Sequence, residues 1–229
     1  MTPSKAIQDE SYTHELHLFR SEILLAVCDG MGGHESGEKA SWCVSKELPK
    51  KIFMEDANKV KIQKSISNIQ EEARTSLPEN SGTTLAGIWI KEGTAYVFNA
   101  GDSRIFSLEK GKIHQISRDH SLVQTLLDEK KISPEEAFDH PYKNVVNFGM
   151  GPAFREVWPR YQPHVEKLDI SAPIAFLLCS DGITDIIRSA EIAEILGRSP
   201  VENGERLMEK AKAAGLKDNT SYVIVEVQP

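Results

Sequence analysis

The stretch L-L-A-V-C-D-G-M-G-G-H-E-S-G-E-K-A-S, Leu24–Ser41, decides how this chain is interpreted. An apolar run over Ile23–Cys28 predicts a buried strand, and a glycine-rich loop follows it from Asp29. A helix-forming segment then begins at Glu38. A carboxylate at a strand end, beside glycines that let the backbone approach closely, can hold a cation and a phosphate. The same pattern also fits an ordinary strand-to-helix turn that Asp29 caps.

Composition limits the class of protein. The chain has 229 residues, of which 40% are hydrophobic and 27% charged, which suits one globular domain with a full core. Its formal net charge of -7 would repel a nucleic-acid backbone, so we expect no nucleic-acid partner. Cys28, Cys43 and Cys179 are odd in number and lack C-x-x-C spacing, which predicts buried reduced thiols and no disulfide or zinc site. No apolar run could span a bilayer and the N-terminus lacks a signal core, so we expect a cytoplasmic protein without a membrane partner.

Strand and helix signals are spread through the whole chain. The predicted strands cover 22–28, 83–91, 94–99, 104–108, 113–116, 174–179 and 221–227, and the predicted helices cover 37–53 and 58–77, with shorter ones after 119, 133, 190 and 199. The irregular region 132–162 predicts a mobile, flap-like insert. We therefore expect one domain over 1–229, of the α/β (α+β) class. Its architecture would be a four-layer sandwich, with two antiparallel-rich β-sheets packed face to face and helices on both outer sides.

Four aspartates share one sequence context, because each lies at the end or the start of an apolar strand. Asp29 follows L-L-A-V-C and Asp102 follows V-F-N-A-G, while Asp181 follows F-L-L-C-S and Asp218 comes just before S-Y-V-I-V. Carboxylates at the ends of central strands can converge on one rim, where their repulsion raises their pKa values. A hard divalent cation such as Mg²⁺ or Mn²⁺ removes that conflict, because it prefers oxygen ligands. Four unrelated turns that each carry an aspartate are the alternative interpretation.

Seven short segments resemble, in order, the motifs of the bacterial form of the metal-dependent type 2C serine/threonine protein phosphatases. They are D-G-M-G-G-H with S-G-E-K-A-S (Asp29–Ser41), S-G-T-T-L (Ser81–Leu85), A-G-D-S-R (Ala100–Arg104), R-D-H-S-L-V (Arg118–Val123), H-P (His140–Pro141), S-D-G (Ser180–Gly182) and D-N (Asp218–Asn219). Each segment alone is weak, but together they cover nearly the whole chain. The resemblance implies a single type 2C-like domain that hydrolyses phosphoserine and phosphothreonine with two or three Mn²⁺ or Mg²⁺ ions.

The resemblance also implies the residues that bind metal. They are Asp9, Asp29, Gly30, Asp102, Asp181 and Asp218. Asp29 would bridge two ions, with the Gly30 carbonyl on one of them. Asp181 and Asp218 would hold the first ion, and these two with Asp29 would be the catalytic residues, acting through a metal-bound water.

Further roles follow from the same resemblance. Asp102 with Asp181 would form a third, weaker ion site, and Asp9 would support the second ion through water. His34 and Asn219 would lie next to the ligands without binding metal, although ordinary structural roles fit these two residues equally well.

The implied reaction needs no protein nucleophile, because a water bridging two metal ions attacks the phosphorus directly. Thr83 and Thr84 would then support the core and take no part in the reaction. Cys28 and Cys179 precede proposed ligands, but thiols buried in apolar runs are poor nucleophiles. The sequence therefore argues against a cysteine-dependent phosphatase.

The chain departs from the family pattern at three places. The family usually has an arginine that clamps the substrate phosphate five residues before the acid matched by Asp9, but Ser4 and then Lys5 stand here. Lysine supplies charge without a bidentate fork, so Lys5 and Ser4 are the candidates for phosphate binding. Animal members of the family have a histidine where Met31 stands, as the general acid, whereas bacterial relatives also have methionine. Since methionine cannot donate a proton, water or another group must protonate the leaving oxygen. The segment N-V-V-N-F-G-M-G, 144–151, diverges from the family, which predicts individual substrate recognition.

The implied partners are a phosphorylated protein substrate and a cognate bacterial serine/threonine kinase, which the phosphatase would oppose. The alternative is a catalytically weak or silent phosphatase-fold module that binds a regulatory partner, as the missing arginine and divergent segment would allow. Metal-dependent turnover of a phosphopeptide separates these two hypotheses. A phosphatase coupled to a sigma-factor or secretion switch would differ in its partner and not in its chemistry.

Overall fold

The computed structural model describes residues 22–31, 34–53, 56–109, 111–196, 200–216 and 218–228. The strands are β1 (Glu22–Val27), β2 (Gly30–Met31), β3 (Gly82–Thr83), β4 (Leu85–Lys91), β5 (Thr94–Ala100), β6 (Arg104–Glu109), β7 (Lys112–Gln115), β8 (His164–Asp169), β9 (Ile174–Cys179) and β10 (Tyr222–Val227). The helices are α1 (His34–Ile52), α2 (Lys59–Ser76), α3 (Leu122–Asp128), α4 (Pro134–Phe138), α5 (Asp181–Thr184), α6 (Ser189–Ile195) and α7 (Pro200–Ala213), with a 3₁₀ turn at Pro152–Phe154.

Two antiparallel sheets form the centre of the molecule. The first has the strand order β1-β4-β5-β8 and the second the order β10-β9-β6-β7, while β2 and β3 form a small separate pair. Alternation along β4 explains why the sheets stack, because successive side chains of a strand point to opposite faces. Leu85 and Trp89 pack beneath the helices, whereas Ala86 and Ile88 pack toward the second sheet.

Helices cover both outer faces of the sandwich. The apolar stripes of α1 and α2, represented by Leu48 and Ile66, pack on the first sheet against Trp89. On the other side, α6 and α7 pack on the second sheet, where Ile192 and Leu207 join its buried side chains. The predicted four-layer α/β arrangement is confirmed. Within the ranges described by the structure, no helix has the length and apolar character needed to cross a membrane.

The short strand β2 and the helix α5 were not predicted from the sequence, and two further differences affect the packing of the first sheet and its helices. Strand β8 was not predicted, although it pairs with β5 along its full length, from Thr94↔Asp169 to Asn99↔His164. The second difference concerns 147–151, which lies inside the predicted surface insert. Phe148 and Met150 are fully buried there, and Gln70 holds the segment by accepting from and donating to Gly151 at 2.6 and 2.9 Å. This part of the insert therefore belongs to the core.

Candidate metal centre

The strand ends that carry the four aspartates meet at one rim of the sandwich. In the first sheet, β1 ends at Val27, which pairs with Ala86 near the start of β4. In the second sheet, Cys179 at the end of β9 pairs with Tyr222 at the start of β10. Asp29, Asp181 and Asp218 therefore leave the sheets at the same edge, and Asp102 joins them from the β5–β6 connection.

Two threonines fix the position of Asp29. Its backbone N–H donates to Thr84 Oγ1 at 3.0 Å, and its carbonyl accepts from Thr84 N at 2.8 Å and from Thr83 Oγ1 at 2.9 Å. The Thr84 hydroxyl is also 2.7 Å from Ser103 Oγ. Because both threonine hydroxyls bond to the Asp29 backbone, the prediction that the two threonines support the core is confirmed.

A glycine with a left-handed backbone positions Asp102. Gly101 has φ of 111°, and a Cβ at this position would lie 2.8 Å from the Thr84 side chain. A side chain here would combine backbone strain with a steric clash, which explains the glycine. Asp102 itself is 9% exposed, so its carboxyl group lies largely out of bulk water.

The last two aspartates are joined by close backbone packing. Asp181 begins α5, and Asp218 lies in the loop that leads into β10. A Cβ on Gly182 would lie only 2.3 Å from the carbonyl oxygen of Asn219, so glycine is required for α5 to approach this loop. Beside it, Ser180 N donates to Ser221 O at 3.0 Å. The close approach brings the Asp218 charge within electrostatic range of Asp181.

The pKa values of these carboxyl groups reflect their crowding. Burial, followed by the charges of Asp181, Asp218 and Asp102, raises the pKa of Asp29 to about 8. Burial and the neighbouring Asp181 raise the pKa of Asp102 to about 7. Burial is also the main reason why the pKa of Asp181 is raised. Such a cluster is unfavourable as a set of bare charges and becomes favourable with a cation among them.

The residues present suit a divalent cation. Asp181 Oδ1 is a buried oxygen without a hydrogen-bond partner among the described residues, and a buried oxygen of this kind requires a ligand or water. Across the described part of the chain, no three or more His, Cys, Asp or Glu side chains are placed so that they could hold a metal ion, and this includes the four aspartates, so water or further groups would have to complete the coordination. An open set of carboxylate oxygens matches Mg²⁺ or Mn²⁺, because these ions retain water and use few protein ligands.

The remaining predicted site residues have different outcomes. Ser4, Lys5 and Asp9 lie outside the described residues, and so does the side chain of His34, which begins α1. Asn219 is exposed, and its backbone N–H donates to Asp218 Oδ1 at 2.8 Å.

Gly30 packs against Gly37 at the start of the glycine-rich loop. A Cβ on Gly30 would lie 2.3 Å from the Gly37 carbonyl oxygen, so only glycine allows this approach. The close packing holds the loop beside Asp29. It therefore places the Gly30 backbone at the same rim as the aspartates.

The cysteines next to this rim are not equipped for nucleophilic attack. Burial raises the pKa of Cys28 and of Cys179 to about 12, so both remain protonated thiols near neutral pH. The structure thus agrees with the argument against a cysteine-dependent phosphatase.

An ion pair behind the rim was not foreseen from the sequence. Arg104 donates from Nε and from a terminal nitrogen to Asp119 Oδ2 at 2.8 and 2.7 Å. The Asp119 side chain is 4% exposed, and its other oxygen accepts from Gln115 Nε2 at 2.7 Å. Arg104 and Asp119 belong to A-G-D-S-R and R-D-H-S-L-V, but neither segment carries a signal that these two side chains meet.

A cavity of about 240 Å³ adjoins the aspartates. Asp102 and Asp181 belong to its lining, together with residues of α4 and of the turn between α5 and α6. The cavity therefore joins the carboxylate rim to α4 and this turn.

Comparison with known proteins gives a consistent result. A sequence model of the family described as Protein phosphatase 2C matches residues 6–217. The chain is 35% identical to the serine/threonine protein phosphatase PstP of Mycobacterium tuberculosis over 223 residues, which cover 93% of this chain and 42% of that protein. The chain thus spans less than half the length of this relative.

Two further matches cover most of both chains. The serine/threonine phosphatase Stp of Listeria innocua is 31% identical, over 89% of this chain and 84% of that protein. A crystal structure of the PstP catalytic domain in complex with two manganese ions superposes with a TM-score of 0.72 at 30% identity, and covers 95% of each chain.

Proposed function

Because this chain belongs to the protein phosphatase 2C family, we propose that it is a metal-dependent serine/threonine protein phosphatase. One observation carries the proposal: carboxyl groups from four separate strand ends crowd one rim, where burial and mutual repulsion raise the pKa of Asp29 to about 8. Such an arrangement is costly in the absence of cations. The names of the relatives as serine/threonine phosphatases support the same reading.

We assign the metal ligands to Asp29, Asp102, Asp181 and Asp218, with Asp9 and the Gly30 carbonyl as the further candidates implied by the family. The two manganese ions in the PstP catalytic domain support Mn²⁺ or Mg²⁺ as the cofactor. When bound, such ions supply an activated water and offset the negative charge of the phosphoryl oxygens.

The chain's own groups position the reactants in this proposal. Thr83 and Thr84 hold the backbone of Asp29, so its carboxylate is oriented before any ligand arrives. Asp181 Oδ1, buried without a partner among the described residues, offers an acceptor that no protein donor occupies. The protonated thiols of Cys28 and Cys179 leave no thiolate to form a phosphocysteine.

The substrate is proposed to be a phosphorylated protein, with phosphoserine or phosphothreonine as the reacting residue. Reversal of a cognate serine/threonine kinase in the cytoplasm is the corresponding cellular role. Three cysteines without a disulfide fit a reducing compartment. Ser4 and Lys5 remain the proposed contacts to the substrate phosphate.

The test is metal-dependent hydrolysis of a phosphothreonine peptide by the purified chain. We expect turnover with Mn²⁺, none with chelator, and a loss of about 100-fold or more in kcat/KM for Asp181→Asn. Asp169→Asn, at an exposed strand end in the first sheet, is the matched control and should keep wild-type activity. Turnover that persists in chelator would contradict the metal assignment, and a folded protein without turnover would be a silent phosphatase fold.

A further inference from the structure

The cavity beside the aspartates is lined by two kinds of side chain. Asp102 and Asp181 are the carboxylates assigned to metal. Phe138 at the end of α4 and Arg188, which precedes α6, line the same cavity and stack on each other. A polypeptide whose phosphate reached the two aspartates would place a neighbouring residue near Arg188.

The guanidinium of Arg188 is held in place by an aromatic ring. Its Cζ atom lies 3.9 Å from the centroid of the Phe138 ring, which is a close cation–π stack. Stacking restricts the side chain before a ligand binds, and it leaves the N–H groups at the edge of the guanidinium available for planar contacts. The side chain is 47% exposed, so a ligand entering the cavity can reach it.

The present ion-pair partner of Arg188 is easily exchanged. Arg188 contacts Asp139 Oδ2 at 3.2 Å, and the Asp139 side chain is 75% exposed and does not line the cavity. Exposed pairs of this kind contribute little to stability, because solvent and salt screen them. A carboxylate that enters the cavity can therefore replace Asp139 at the guanidinium with little loss of stability.

The charge balance of the cavity lining favours an anion beside Arg188. Arg104 is neutralised by buried Asp119, and Lys143 is paired with Asp185 at 3.3 Å. The proposed function assigns Asp102 and Asp181 to metal ions. Among the basic side chains that line the cavity, Arg188 is then the one whose carboxylate partner, Asp139, lies outside the lining.

We propose that Arg188, stacked on Phe138, is a specificity-determining residue that selects substrates with a glutamate or aspartate close to the phosphorylated side chain. This inference rests on the proposed phosphatase function and adds a substrate class to it. Arg188 does not touch the reacting phosphate in this scheme. It binds a neighbouring carboxylate of the same polypeptide through its guanidinium N–H groups.

The test compares phosphothreonine peptides that differ at one residue. One neutral sequence carries a single glutamate at each flanking position in turn, and the reference peptide has glutamine there. With Mn²⁺ present, we expect kcat/KM for the preferred glutamate peptide to exceed that of its glutamine counterpart by about threefold to tenfold. Arg188→Gln should bring this ratio close to one, and Arg188→Glu should reverse it in favour of a lysine peptide.

The ratio is taken within each variant, so a general loss of active protein cancels. Arg155→Gln is the matched control, because Arg155 is also a surface arginine paired with an exposed glutamate, Glu79, at 2.8 Å, but lies outside the cavity lining. This variant should keep the wild-type ratio. Equal rates for glutamate and glutamine peptides in the wild type, or a ratio that survives Arg188→Gln, would overturn this inference alone. Absence of turnover on every peptide would overturn the proposed function together with it.

Discussion

Replacement of Asp29 by asparagine should stabilise the metal-free protein while it abolishes metal binding. Burial and three neighbouring carboxylates raise the pKa of Asp29 from 3.8 to about 8. Without cations, the folded chain must therefore either keep this group protonated or ionise it against repulsion. An asparagine has nearly the same shape and carries no charge, so it removes the conflict.

The sign and size of the effect follow from the linkage between proton binding and folding. A carboxyl group whose pKa is raised on folding costs nothing below its unfolded pKa. Its cost then grows as the pH rises toward the folded pKa. At pH 7.5 the upper bound on this free-energy cost is about 5 kcal/mol, because each unit between the unfolded pKa and the pH corresponds to about 1.4 kcal/mol. Relaxation of the neighbouring carboxylates reduces this, and we expect a gain of about 2–5 kcal/mol, or about 4–20 °C in Tm for a domain of this size.

The assay is thermal unfolding of wild type and Asp29→Asn in chelator, at pH 7.5 and at pH 4.5. The gain should be present at pH 7.5 and fall to about 1 kcal/mol or less at pH 4.5, which is less than one unit above the unfolded pKa of 3.8. Added Mn²⁺ should raise the Tm of the wild type and leave that of the variant unchanged. Asp169→Asn, in which an exposed carboxylate is neutralised, should leave Tm unchanged at both pH values. A variant that is less stable than wild type at pH 7.5, or equally affected at both pH values, would refute the crowding argument.

Three further predictions concern the rim and its surroundings. Gly30→Ala should lower stability by about 1–3 kcal/mol and reduce phosphatase activity, because its Cβ would lie 2.3 Å from the Gly37 carbonyl oxygen; unchanged denaturant midpoint and kcat/KM would argue against this packing. Arg104→Met should destabilise the protein by about 3–5 kcal/mol in urea unfolding, since it leaves the buried Asp119 carboxylate unpaired, and a loss under about 1 kcal/mol would count against this pair. Cys28→Ala should keep metal-dependent turnover and its pH profile, because burial holds the thiol protonated with a pKa of about 12; loss of turnover in a folded variant would reopen a thiol mechanism.

Most of the fold was accessible from the sequence because the signals for it are local. Apolar runs, period-2 alternation and helical stripes predicted every strand of the two sheets except β8, and the long helices α1 and α2. Strand β8 was missed because H-V-E-K-L-D contains three charged residues and few apolar ones, so its pairing with β5 decides its structure. The burial of Phe148 and Met150 was missed for a related reason, since two apolar residues among glycines form no periodic pattern.

Only part of the candidate site could be predicted from the sequence. The four aspartates could be recognised by their position at strand ends, and the structure brings them to one rim. Contacts between side chains distant along the chain could not be predicted in this way. The Arg104–Asp119 pair spans 15 residues and the stack of Phe138 with Arg188 spans about 50, and no local pattern encodes which residues meet at such separations.

The division of the aspartates between the two sheets has a mechanical consequence. Asp29 leaves the first sheet, whereas Asp181 and Asp218 belong to the second, and the layer between the sheets holds side chains such as Ile88 and Leu178. A cation bound by these carboxylates would link the two sheets. A shift of one sheet relative to the other would then change the distances between the metal ligands. Truncation of a side chain buried between the sheets would therefore weaken metal binding, although that side chain contacts none of the ligands.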